Sequence, residues 1–249
     1  MSVASPARPQ FRAPDPKYMT FVEHLDELRH RLIKSVGAIA LGSIIGWFLA
    51  KHVIALLVAP VRTYLHVKTL YVPQVYGAFT INLKIAIIIG FAVALPVTVY
   101  QLWAFVSPAF GGKASRVGPL VITSALVLFA AGVVTGYEVV PLALQFFGKF
   151  EDQNLQVLPF ASEYIGFISL ILLVFGVSFE LPLVLVSMSA IGITSSRWLS
   201  RKRAHFFFGI FIFSTVATPG ADAVSPLILG AILYVLFELS ILVSRLIGK

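Results

Sequence analysis

Two glutamates carry most of the chemistry open to this sequence. Glu180, in FGVSFELPLVLV, has sixteen uncharged residues on each side, 164–179 and 181–196. An ionised carboxylate inside hydrocarbon costs about 2.5 kcal/mol or more, so such an acid reads first as functional, facing a ligand or water. Pro182 cannot donate to the Ser178 carbonyl, and its ring pushes that carbonyl aside. The freed carbonyl and the Ser178 hydroxyl then lie within about a turn of Glu180, a cluster tolerable only toward protein or water. The plainer alternative is a protonated Glu180 bonded to a neighbouring helix. Glu27 sits in HLDELRHR, residues 24–31. Asp26 with Arg29 and Glu27 with Arg31 are spaced to pair along one helix, each worth a few tenths of a kcal/mol. The other reading leaves one carboxylate, Glu27, for a cationic partner. A carboxylate accepts two parallel bonds from a guanidinium, so an arginine-bearing ligand is its complement.

The remaining polar groups say less. Tyr100, Trp103 and Phe105 in YQLWAFVSPAF suit an aromatic belt at a membrane interface. Glu238 is spaced to meet Arg245 or to snorkel. The five histidines show no metal-ligand spacing, and no phosphate loop or nucleophile–base motif occurs, so neither an enzyme nor a cofactor is expected. The absence of cysteine excludes disulfides and thiolate ligands.

These groups need helices to hold them, and the composition supplies a membrane setting. Hydrophobic residues make up 58% and charged ones 12%, half the content of a soluble domain; mean hydropathy is +0.92. The predicted plan is all-α and polytopic. A mobile cytoplasmic tail covers 1–18, and a single domain of six transmembrane helices covers 19–249. Thr20 and Glu23 form a capping box that opens a helix. Its stripe of Phe21, Leu25, Leu28 and Leu32 predicts a segment at the membrane surface leading into the first span. That span, about 32–50, is expected to be retained rather than cleaved. An external loop follows over 51–80, with Pro60 breaking a helix inside it. The second span runs about 81–105 with a kink at Pro96, then a turn over 107–118, then the third span at 119–137. After a loop over 138–163 comes the span holding Glu180, a basic loop at 197–203, and two short spans at about 204–218 and 224–243.

Charge placement predicts orientation. Fourteen of the nineteen Lys and Arg residues fall on the side of the two termini and five on the other, so both termini are predicted to be cytoplasmic. This placement accounts for the net charge of +8 without a nucleic-acid partner. No internal repeat is visible, which argues weakly against a repeat-built carrier.

HLDELRHR before the first span, YQLWAFVSPAF after the second and FGVSFELP in the fourth together resemble the TatC family, the multispanning subunits of twin-arginine protein translocases. The likeness runs over essentially the whole chain after residue 18. It also takes in Pro60, AFTINLK, GYEVVP and the turn at Thr218. The resemblance implies a non-enzymatic receptor in the cytoplasmic membrane of a prokaryote. Such a receptor binds twin-arginine signal peptides of folded proteins and works with TatB-like and TatA-like single-span subunits in a hetero-oligomer of several copies. Export is then driven by the proton-motive force.

By position, the resemblance implies that Glu27 contacts the arginine pair, with Leu28 and Arg29 shaping the surface and Phe105 lining it. Glu180 lies in a concave intramembrane face, Pro60 shapes the outer cap, and Thr218, Pro219 and Asp222 lie where partner subunits dock. One departure stands out. The loop after the second span reads GGKASR, with Ala114 and Ser115 where many members carry a second acid, so recognition is expected to lean on Glu27, helped by Asp26. Two short final spans mismatch a bilayer about 30 Å thick, and should thin it or draw in partner helices. The competing reading from another class is a proton- or cation-coupled carrier using Glu180.

Overall fold

The computed structural model describes residues 21–65, 67, 69–108, 110, 114–150, 160–218 and 224–248. The expected tail at 1–18, the capping Thr20, and the docking residues Pro219 and Asp222 lie outside them. Among the described residues eight helices follow in order: α1 (Phe21–Tyr64), α2 (Gly77–Val106), α3 (Ala114–Gly148), α4 (Ala161–Ser178), α5 (Leu181–Ala190), α6 (Ser196–Arg201), α7 (Arg203–Ala217) and α8 (Val224–Leu246). One isolated bridge joins Tyr71 to Phe160. Five stretches are long and apolar enough to cross a membrane, with α4 and α5 counted as one. The sixth apolar helix, α7, has 15 residues, or about 22 Å at 1.5 Å per residue, short of a bilayer core of about 30 Å.

Several boundaries differ from the sequence expectation. α1 is one helix of 44 residues, about 66 Å long. The segment around Glu27 therefore continues into the first span without a break, and is not a separate helix lying on the surface. Pro60 does not interrupt it either. The ring removes the bond to the Leu56 carbonyl and strains its neighbour, so a break was expected. Here other helices satisfy those carbonyls. The Tyr137 hydroxyl of α3 donates to the Leu56 oxygen at 3.0 Å, and the Tyr164 hydroxyl of α4 donates to the Leu57 oxygen at 2.7 Å. Pro60 itself is buried. Tyr164→Phe is expected to cost about 1 kcal/mol, because it removes the buried bond to the Leu57 carbonyl; thermal unfolding in detergent would register it as a fall of a few degrees.

The loop expected over 138–163 is shorter than predicted, since α3 continues through Glu138 and Pro141 to Gly148. At the other end α3 begins at Ala114, so Ala114 and Ser115 open a helix rather than sit in a turn. The basic 197–203 segment is largely helical, as α6 and the start of α7. Of the two final helices only α7 is short. α8 has 23 residues, about 34 Å and enough to span.

Small residues fix how the long helices pair. Gly42 and Gly46, four apart on α1, face Ala86 and Gly90, four apart on α2. A Cβ at Gly42 would lie 2.6 Å from the Gly90 carbonyl oxygen, and one at Gly46 would strike the carbonyl of Ala86. Gly132 of α3 meets α4 in the same way, its would-be Cβ 2.6 Å from the Phe175 oxygen. Within lipid, apolar surface gains little by leaving its surroundings, so such close backbone approach drives helix pairing. Phe175, Phe237, Ile85, Ile165 and Ile168 fill the centre and are fully buried. On the outer face of α1, Leu41, Ile44 and Phe48 are exposed, an apolar stripe suited to lipid tails.

Candidate functional site

The first site forms where the start of α1 meets the end of α2. Positions 24, 27 and 31 share one face of α1, and 101 and 105 share one face of α2. The structure brings these faces together. The His24 ring stacks on Phe105, centroids 4.2 Å apart and planes 10° from parallel. Arg31 donates from Nε to Glu27 Oε1 at 2.9 Å, and from Nη2 to the same oxygen. Its Nη1 lies 3.5 Å from Gln101 Oε1. The other carboxylate oxygen, Glu27 Oε2, is buried and accepts no hydrogen bond; His24 Nδ1 stands 3.6 Å away. An oxygen shut from water without a donor is costly, so this one is poised for an N–H group.

Leu28 and Arg29 are exposed beside it. Asp26 points elsewhere. It pairs with His30 at 3.5 Å, not with Arg29, and both side chains are largely exposed. The expected self-paired helix is thus half present, in Glu27 with Arg31, while Asp26 stands apart from the Glu27–Phe105 cluster. His24 and Gln101 escaped sequence reasoning. Their signal was spacing alone: His24 lies three residues before Glu27, and Gln101 one turn before Phe105.

The second site surrounds Glu180. α4 ends at Ser178 and α5 starts at Leu181, with Pro182 in the first turn of α5. The Glu180 N–H reaches only the Val177 carbonyl, at 3.1 Å, a tighter turn than an α-helix makes. The break turns Glu180 into the wall of two concavities. One, of about 650 Å³, also touches Ser178, Ile210 and Phe213; the other, of about 620 Å³, touches Trp103, Phe110, Phe129 and Met188. Ser178 Oγ is buried with no hydrogen-bond partner. Among the described residues the Glu180 carboxyl neither accepts nor donates a side-chain hydrogen bond. The alternative of a carboxyl bonded to a neighbouring helix therefore finds no partner there.

Polar contacts elsewhere fasten the second half. Glu238 does not meet Arg245; it takes a two-bond clamp from Arg203, Nε to Oε1 at 2.6 Å and Nη2 to Oε2 at 2.8 Å. Arg245 instead donates to Ser200 Oγ at 3.0 Å. Ser244 donates to Ser189, which also bonds Thr194. Thr218 is buried at the end of α7, and its hydroxyl donates to the Ser214 carbonyl at 2.7 Å.

Comparison with known proteins identifies the family. The family profile described as TatC, Sec-independent protein translocase protein, matches residues 23–231. The Sec-independent protein translocase protein TatC of Desulforapulum autotrophicum is 36% identical over 232 residues, covering 92% of this chain and 85% of the relative. Its counterpart from Escherichia coli is 33% identical over 232 residues, covering 92% and 89%. A crystal structure of the twin-arginine translocase receptor TatC superposes with a TM-score of 0.79 at 31% identity, over 91% of this chain and 100% of that one. In sequence and in backbone alike, this multispanning membrane chain belongs to the TatC family of Sec-independent protein translocase proteins.

Proposed function

We propose that this chain is the receptor subunit of a twin-arginine translocase, binding the signal peptides of folded proteins at the α1–α2 rim. The observation that carries the reading is Glu27 Oε2, buried, without a donor and next to His24, which stacks on Phe105. A guanidinium supplies the missing N–H, and partial burial makes that charge-assisted bond stronger than in open water. With Ala114 and Ser115 in place of a second acid, Glu27 carries the arginine contact. The peptide's apolar segment then lies along the concavity that Glu180 shares with Trp103 and Phe110.

The same reading has six spans, the short α7 being the fifth in order, in the inner membrane of a prokaryote. Both termini are cytoplasmic, in keeping with the fourteen-to-five split of Lys and Arg. TatB-like and TatA-like single-span subunits join it as a hetero-oligomer, docking near Thr218 and α7, and the proton-motive force drives export. A carrier built on Glu180 has the cavities in its favour but neither paired broken helices nor an internal repeat.

The experiment is a binding titration. Glu27→Ala should weaken a twin-arginine signal peptide at least about tenfold, the worth of one charge-assisted bond. Unchanged affinity sinks the assignment.

A further inference from the structure

In the empty protein Glu27 does not offer two free oxygens side by side. Arg31 sets two donors on Oε1. Oε2 is closed off from solvent, with His24 Nδ1 3.6 Å away. A guanidinium arriving from outside therefore meets a carboxylate that already holds a guanidinium. The fork of two parallel bonds becomes available to it only when Arg31 lets go. Arg31 has an alternative acceptor at hand, since its Nη1 is already 3.5 Å from Gln101 Oε1 on the neighbouring helix. Glu27 and Arg31 are also mostly buried, their side chains 18% and 24% exposed. A bare charge in such a place is expensive, so replacing one guanidinium by another is easier than vacating the site first.

We infer that Arg31 is an internal stand-in for the ligand's arginine, displaced toward Gln101 on binding, and that this competition lowers the affinity of the site for any cationic ligand. The inference rests on the receptor reading above and names a residue that sets affinity within it. Gln101, in this account, is a positioning residue that receives Arg31.

The test uses the full chain in lipid nanodiscs and two synthetic signal peptides, one with an Arg-Arg pair and one with Lys-Lys. Affinities are measured for wild type, Arg31→Lys, Arg31→Gln and Glu27→Ala. With a weaker internal competitor, both Arg31 variants should bind both peptides about five- to tenfold more tightly than wild type, with the ratio between them unchanged. A merely structural role for Arg31 would weaken binding instead. Unchanged or weakened affinity for the Arg-Arg peptide overturns the inference provided that Glu27→Ala still loses Arg-Arg binding. If Glu27→Ala binds like wild type, the receptor reading fails and takes this one with it. Should Arg31→Gln fail to fold, Arg31→Lys decides. Loss of folded protein in both makes Arg31 structural and ends the proposal.

Discussion

Gly42→Leu is expected to leave little folded protein. The α1 backbone lies so close to α2 that even a methyl carbon at Gly42 would sit 2.6 Å from the Gly90 carbonyl oxygen. Overpacking a core commonly costs about 1–3 kcal/mol when side chains can yield. Here the obstacle is backbone, which has no rotamer to change, so the cost should exceed about 3 kcal/mol and part the pair. Gly37→Leu is the control, because nothing lies within 4 Å of a Cβ there. Size-exclusion profiles and melting curves in detergent should show aggregation or a strongly lowered midpoint for Gly42→Leu alone. A wild-type profile for that variant would falsify the close crossing.

Glu180→Leu is expected to move stability and function in opposite directions. The carboxyl is half-buried among apolar walls with no donor among the described side chains. Removing it should raise stability by about 1–2 kcal/mol, a discounted share of the cost of placing an acid in hydrocarbon. Export of a twin-arginine substrate, in cells that rely on the variant, should fall at least about tenfold if the acid serves the transported peptide or a partner span. A lowered melting temperature would mean that Glu180 holds the bundle together. Undiminished export would remove it from the working surface.

The helical plan was legible because a membrane leaves the chain little choice. Long apolar runs satisfy their own backbone, and the runs through Leu41, Ile89, Phe129 and Ile171 announced themselves by composition. Helix ends were harder to place. Pro60 and Pro141 read locally as breakers, and the carbonyls that Pro60 disturbs are met by Tyr137 and Tyr164, about 80 and 107 residues away. No local pattern carries that information. The rim shows the same division. Glu27 and Phe105 stood out through their motifs, whereas the stack of His24 on Phe105 and the reach of Arg31 to Gln101 need two helices in a definite register. That register is set by Gly42, Gly46 and Gly90, whose four-residue spacing was visible in the sequence but not used. Glu238 found Arg203 rather than Arg245 for a related reason: α7 folds back along α8, which helical spacing within one segment cannot foretell.

The two tyrosine bonds have a mechanical consequence. They tie α1 to α3 and α4 near the last turns of α1, while the opposite ends of α3 and α4 flank, together with α2 and α5, an oily hollow walled by Phe91, Leu95, Trp103 and Phe129. A body stitched along one edge and greased along the other can gape at the greased edge without breaking either stitch. A hinge at the proline and its two distant hydroxyls would put the mouth at the greased edge.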